Sequence, residues 1–326
     1  MPLQFDPEYL QALEPFIPLM SNRPKLVLQD IPSSRKSREA SISLFLSKLP
    51  VQEDVICTVH HAVAPDGHRV PVYGFTKKGS QSEPGPAVLF CHGGGMVTGS
   101  AQLYSNPVAR LVSETSIPFL SVDYRLAPEH NGLTLVQDCY SVLLWLNQHA
   151  TEHNIDPARI AVYGESAGGG LAAGVVLMAR DKNLQPPPAK QILIYPMLDD
   201  RNSSGNEAIE PFAAWKTEDN ITAWTALLGD KAGDPNADVS PYSAPARANS
   251  LKGLPSTYLD VGGLDIFRDE TIAYATRLMA ENVTTELHVY SGLPHGFELI
   301  GKDISATARA HENRIKTLLK LYARGY

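Results

Sequence analysis

The pentapeptide Gly164-Glu165-Ser166-Ala167-Gly168 constrains this chain more than any other stretch. Before it, Arg159-Ile160-Ala161-Val162-Tyr163 has the branched and aromatic composition of a strand. After it, Gly169 to Met178 reads as an apolar helix with small residues in its first turn. A serine between such elements sits on a tight, strained turn, and the flanking glycines let strand and helix pack closely around it. Its hydroxyl points out of the sheet, and the helix N-terminus behind it favours negative charge. That is the setting a serine nucleophile needs. A glycine-rich turn without chemistry is the plainer reading of the same residues, and the rest of the chain must decide between them.

A second feature favours chemistry. Ala87-Val88-Leu89-Phe90-Cys91 is a short apolar run of the kind found in buried parallel strands, and it leads directly into His92-Gly93-Gly94-Gly95. Acyl transfer through serine needs donors aimed at the oxyanion formed when a carbonyl is attacked. Consecutive glycines let backbone N–H groups approach that oxygen unobstructed. A phosphate cradle would show G-x-G-x-x-G spacing or a P-loop Lys-Ser/Thr, and neither is present. His92 precedes the loop and is expected to brace it.

Where a nucleophilic serine sits on such a turn, its acid and its histidine follow in the chain, acid first. Ser256 to Asp260 reads as a strand, and Asp265 falls in the loop after it. Thr285 to Tyr290 alternates as a strand does and leads into Ser291-Gly292-Leu293-Pro294-His295-Gly296-Phe297. His295 therefore lies in a strand-terminal loop, whereas His288 is mid-strand and His311 falls in the last helical segment. Asp260 and Asp269 stay open as rivals to Asp265.

These stretches, with Asp123-Tyr124-Arg125-Leu126-Ala127-Pro128-Glu129-His130, occur in one order across residues 85 to 300. In this the chain resembles the hormone-sensitive lipase-like family of α/β-hydrolases, the esterases with an HGGG loop. The resemblance implies an α/β-hydrolase fold: a mostly parallel central sheet flanked by helices, with a helical cap. It implies Ser166 as nucleophile, His295 as base and Asp265 as acid, with the N–H groups of Gly94, Gly95 and Ala167 as oxyanion donors. It implies that Tyr124 to His130 braces the oxyanion loop. The chain departs from the family pattern at Glu165, where Asp or Thr is more usual, and at Met96, where an aromatic residue is usual. After His130 it also carries Asn131-Gly132-Leu133-Thr134 in place of a proline-rich continuation. None of these removes a catalytic part.

Composition fits this reading. A chain of 326 residues, 43% hydrophobic and 19% charged, is long enough for a large core with attachments. A formal charge of −7 leaves no basic footprint for nucleic acid, and no apolar run is long enough to span a membrane. Met1 to Glu8 lacks the basic and apolar regions of a signal peptide. Scattered Cys57, Cys91 and Cys139 suggest reduced thiols, so the expected compartment is the cytoplasm. No His, Cys or Asp cluster has metal-ligand spacing; no metal or cofactor is expected. A homodimer is left open.

Apolar residues recur at helical spacing at Leu10, Leu13, Phe16, Ile17 and Met20, followed by a Pro- and Ser-containing link and a short helix over Ile42 to Leu49. Residues 55–76 alternate around Pro65-Asp66-Gly67, a hairpin signal. From residue 87, strands and helices alternate. Residues 198–250 show no clear strand and hold Phe212, Trp215 and Trp224. The expected organisation is therefore N-terminal helices over 1–50 joining a cap insertion at 198–250, above a catalytic core of 51–197 and 251–326. Met96, Glu165, Phe212, Trp215 and Trp224 are the residues expected to face substrate, with ordinary cap packing as the alternative for the aromatics. The expected activity is hydrolysis of small to medium acyl esters through an acyl-enzyme. A lactonase, amidase or acyl transferase on the same fold is the alternative, and a non-catalytic small-molecule binding protein is a third.

Overall fold

The computed structural model describes residues 2–18, 25–79 and 83–323. Strand β1 (Val55–Val63) and β2 (Arg69–Lys77) form the antiparallel hairpin that the alternating pattern predicts. It turns where Gly67 donates its N–H to the Ala64 carbonyl at 2.9 Å. Then come β3 (Gly85–Cys91), β4 (Phe119–Val122), β5 (Ile155–Glu165), β6 (Lys190–Ile194), β7 (Ser256–Gly262) and β8 (Thr285–Tyr290). The eight form one sheet in the order β1-β2-β4-β3-β5-β6-β7-β8. The two pairings of β2 are antiparallel, and every pairing from β4 to β8 is parallel.

Helices on both faces explain why the central strands are continuous apolar runs: β3, β4 and β6 are buried at every position. Alternate residues serve opposite faces. Leu89, Val162, Leu193 and Leu259 pack with α4 (Thr134–Gln148), α5 (Ala167–Asp181) and α7 (Arg268–Ala280). Val88, Ala161, Ile192 and Tyr258 pack with α3 (Ser105–Thr115) and α8 (Ser305–Leu319). Helix α5 runs through the densest part, with Leu171, Val175 and Met178 all buried.

The N-terminal segment departs from the sequence reading. Helix α1 (Pro7–Leu13), capped by the Asp6 side chain, covers only the start of the periodic stretch and gives way to a 3-10 turn over Glu14–Phe16. It seats Tyr9 and Leu13 against Tyr290, Leu293 and Phe297, while Leu10 and Ile17 are exposed. The second helix, α2, runs over Ile31–Leu46 rather than starting at Ile42. Its proline occupies the first turn, where a missing N–H costs nothing, so the Pro-Ser stretch begins the helix instead of linking to it. Polar contacts dock it. Arg35 donates to the Val97 and Ala127 carbonyls at 2.8 and 3.2 Å and pairs with Glu129, and the Gly99 N–H donates to Glu39 at 3.3 Å. A helix held this way shows no apolar stripe. Met20 lies outside the described residues.

Residues 198–250 contain no strand, and their main element is α6 (Thr217–Leu228). The buried ion pair Arg247–Asp200 ties one end of the stretch to the other at 2.6 Å. Glu270 of α7 accepts the Leu198 N–H at 2.6 Å and the Asn202 side-chain amide at 2.7 Å. Asp219 on α6 accepts the Leu26 N–H at 2.7 Å, so this stretch and the N-terminal segment meet.

Candidate active site

Ser166 directly follows β5 and caps α5 with φ +57° and ψ −121°, a conformation that costs a non-glycine residue about 1–3 kcal/mol. The turn is locked from both sides: Ser166 donates its N–H to the Ile194 carbonyl at 2.9 Å, and its own carbonyl accepts from Met197 at 2.9 Å. A Cβ on Gly168 would lie 2.1 Å from the Cys91 carbonyl oxygen, so the close approach of α5 to β3 admits only glycine. The strand–turn–helix context read from the pentapeptide is present.

The serine hydroxyl lies 2.8 Å from Nε2 of His295, and Nδ1 of that ring lies 2.7 Å from Oδ2 of Asp265. Asp265 is fully buried, and its other oxygen accepts the Phe267 N–H at 2.9 Å. Aromatic rings hold the imidazole edgewise on two sides: Tyr195 at 4.7 Å and Phe267 at 5.1 Å between centroids. The other two aspartates lie elsewhere. Asp260 is buried in a two-point ion pair with Arg314, at 2.7 and 3.0 Å. Asp269 is exposed and pairs with Arg268.

Beside the serine runs the glycine loop. Gly94 has φ +127°, and a Cβ there would meet the Thr98 carbonyl oxygen at 2.0 Å. That carbonyl neighbourhood is fixed because Gly94 accepts from the N–H groups of Val97 and Thr98. Among the described residues, no protein group accepts from the N–H of Gly94, Gly95 or Ala167. His92 is fully buried and stacks on Tyr124 at 4.2 Å, while the Tyr124 hydroxyl donates to the His92 carbonyl at 2.7 Å. Burial pushes the His92 imidazole down to about 4. It is a neutral brace, and the Ala127 N–H adds a second by donating to the Met96 carbonyl at 2.9 Å.

The five residues expected to face substrate separate. A Cβ on Gly95 would lie 2.6 Å from the Trp215 ring, so Trp215 covers the glycine loop. Phe212 meets Phe5 edge-on at 5.1 Å and lines a cleft of about 660 Å³ with Tyr9, Leu10, Leu13 and Pro294. That cleft reaches the neighbour of His295 without including Ser166. Met96 is fully buried, its methyl facing Gly170 of α5. Trp224 is 1% exposed, because α6 turns Ala223, Trp224 and Leu227 together into the core. Glu165 is half-buried, and desolvation first, then the Glu298 charge, raises its carboxyl to about 8. Tyr195, Phe267, Glu298 and Arg314 had no expected part in the site. The first two carried one signal, their position just past the C-terminal ends of β6 and β7, where open α/β sheets place ligands.

Among the described residues no group of three or more His, Cys, Asp or Glu side chains is arranged to hold a metal ion. No described helix is long and apolar enough to cross a membrane.

A family model described as alpha/beta hydrolase fold matches residues 88–299. The chain is similar to carboxylic ester hydrolase LipN of Mycobacterium tuberculosis, 34% identical over 71% of this chain and 64% of that protein. It thus spans just under two thirds of LipN's length. Carboxylesterase NlhH of the same species is 35% identical over 69% of this chain and 70% of its own. Among solved structures, a bacterial heroin esterase superposes with a TM-score of 0.88 at 36% identity, covering 98% of each chain. With the sheet order, the strand-end serine and the glycine loop in place, the chain belongs to the hormone-sensitive lipase-like, HGGG-type family of α/β-hydrolase esterases.

Proposed function

We propose that this protein hydrolyses carboxylic esters with small to medium acyl groups through an acyl-enzyme on Ser166. The observation that carries the reading is the chain of contacts from Asp265 through His295 to Ser166, at 2.7 and 2.8 Å. Asp265 accepts Nδ1–H and thereby leaves Nε2 as the acceptor for the serine proton. As that proton moves, the serine oxygen attacks the ester carbonyl, and the carbonyl oxygen takes the negative charge. The N–H groups of Gly94, Gly95 and Ala167 stabilise it. His295 then delivers its proton to the leaving alcohol, and water repeats the sequence to release the acid. Preorganised donors of this kind are each worth about 3–4 kcal/mol of barrier.

The N-terminal helices and residues 198–250 form the cap, on this reading, and set acyl size. Trp215 over Gly95 makes the near wall, and Phe5, Tyr9 and Phe212 supply an apolar flank. Soluble esters with acyl chains of about two to eight carbons fit such a bounded site better than triglycerides. A panel of p-nitrophenyl esters, a lactone and an anilide tests this. Short esters should turn over fastest, and Ser166→Ala should lower kcat by about 10³ or more. A Ser166→Ala protein retaining a tenth of wild-type turnover would sink the proposal.

A further inference from the structure

Tyr195 stands on a strained backbone that the proposed mechanism does not explain. Among the described residues, a positive φ outside glycine occurs at three asparagines, at Ser116 after α3, and at Met96, Ser166 and Tyr195. Asparagine visits this region readily, and Ser116 closes a helix there. Ser166 is the proposed nucleophile, and Met96 directly follows the glycine loop. Tyr195, buried and with φ +34°, directly follows β6. A bulky residue in this region is an outlier, and it persists only where its surroundings over-determine it.

The surroundings hold Tyr195 at both ends. Its N–H donates to the Asp260 carbonyl at 2.7 Å, and the carbonyl before it, of Ile194, accepts the Ser166 N–H at 2.9 Å. Its hydroxyl donates to Oε1 of Glu298 at 2.9 Å. Arg314 of α8 donates to the same Glu298 oxygen at 2.7 Å and holds the Asp260 carboxylate with two hydrogen bonds, at 2.7 and 3.0 Å. The two acidic residues that fix the ends of Tyr195 are thus tied together by one guanidinium. That guanidinium also lies 5.6 Å from the centre of the Tyr195 ring.

What this clamp fixes is a ring that meets His295 at 4.7 Å between centroids, inclined by 68°. Glu298 lies three residues beyond His295, on the short turn Phe297–Leu299. The contacts close a circuit from the imidazole to the Tyr195 ring, through its hydroxyl to Glu298, and back along the chain to His295. We propose that Tyr195 is a positioning residue: anchored by its hydroxyl to Glu298, its ring holds the imidazole at the angle that aims Nε2 at Ser166. A base misplaced by about 1 Å costs about 10²-fold in rate. The effect on turnover rests on the proposed roles of Ser166 and His295; the coupling of the hydroxyl to the imidazole does not.

Tyr195→Phe removes only the hydroxyl and tests this on the full chain. With p-nitrophenyl acetate its kcat per folded chain should fall about 10-fold or more while KM stays within about twofold, because a misaimed base weakens the transition state and leaves substrate binding alone. Glu298→Gln, which keeps an oxygen for the hydroxyl, should retain most of the turnover. Glu298→Ala should lose as much as Tyr195→Phe, and the double variant no more than either. Proton NMR adds a readout that general destabilisation does not move. The downfield Nδ1–H resonance of His295, assigned by its absence from His295→Gln, should shift or broaden in Tyr195→Phe well below the melting temperature. Full turnover in Tyr195→Phe, a loss confined to KM, a Glu298→Gln protein as slow as Tyr195→Phe, additive losses in the double variant, or an unmoved resonance would overturn the proposal. If Glu298→Ala does not fold, Tyr195→Phe and Glu298→Gln still decide it. A Ser166→Ala protein that stays active would refute the serine reading alone and leave the resonance test standing.

Discussion

The sharpest test of the site assignment makes one chemical change at two buried aspartates. Asp260 and Asp265 are five residues apart and both fully buried; the sequence favours Asp265, in the loop after the strand, and leaves Asp260 as its rival. Asp265 contacts His295, whereas Asp260 contacts Arg314. Asp265→Asn keeps an oxygen for the Phe267 N–H but turns an amide donor toward Nδ1, which selects the wrong tautomer. From the serine-protease precedent the loss in kcat is about 10⁴, with little change in melting temperature. Asp260→Asn leaves Arg314 buried with only Glu298 to balance it. Breaking a buried pair costs about 3–5 kcal/mol. At about 2.1 cal/mol/K per residue, 326 residues give an unfolding entropy near 0.7 kcal/mol/K, so the melting temperature should fall by about 4–7 °C. Calorimetry and p-nitrophenyl acetate kinetics on both variants separate the effects. An Asp265→Asn protein within tenfold of wild type, beside a folded but inactive Asp260→Asn protein, would refute the assignment.

Two further outcomes follow from the cap and the loop. Trp215→Ala, which removes the ring over Gly95, should move the acyl-length optimum to longer p-nitrophenyl esters and raise the rate on them about tenfold relative to acetate; an unchanged length profile would remove Trp215 from the wall. His92 is held neutral, lowered from 6.5 to about 4, so the folded state binds fewer protons in that interval. Stability is full above 6.5 and falls by about 3 kcal/mol as pH drops toward 4. Melting curves across that range should be steeper for wild type than for His92→Gln, and equal slopes would contradict the neutral brace.

Much of this architecture was legible because its determinants are local. Buried parallel strands are written as apolar runs, as at Ala87 to Cys91, and the hairpin carries its turn residues. Serine, aspartate and histidine each sit at a strand's end, so chain order alone paired them. What escaped the reading is held by distant polar partners. Helix α2 docks through Arg35 and Glu39 to carbonyl and N–H groups of the glycine loop and its brace, so its periodicity shows no apolar face. The cluster at Arg314 joins residues 54 and 103 positions apart and leaves no local trace in the sequence. Trp215 and Trp224 look alike in sequence; only the rotation of α6 turns the second into the core.

The central claim is that Ser166 is the nucleophile, and covalent labelling addresses it without assuming a substrate. Wild-type protein treated with diethyl p-nitrophenyl phosphate should release one p-nitrophenolate per chain and lose esterase activity in parallel. Peptide mass spectrometry should place the single diethylphosphoryl group on Ser166, and Ser166→Ala should take up none. A protein that turns over esters while Ser166 stays unmodified, or whose label and inactivation map to another residue, would contradict the account.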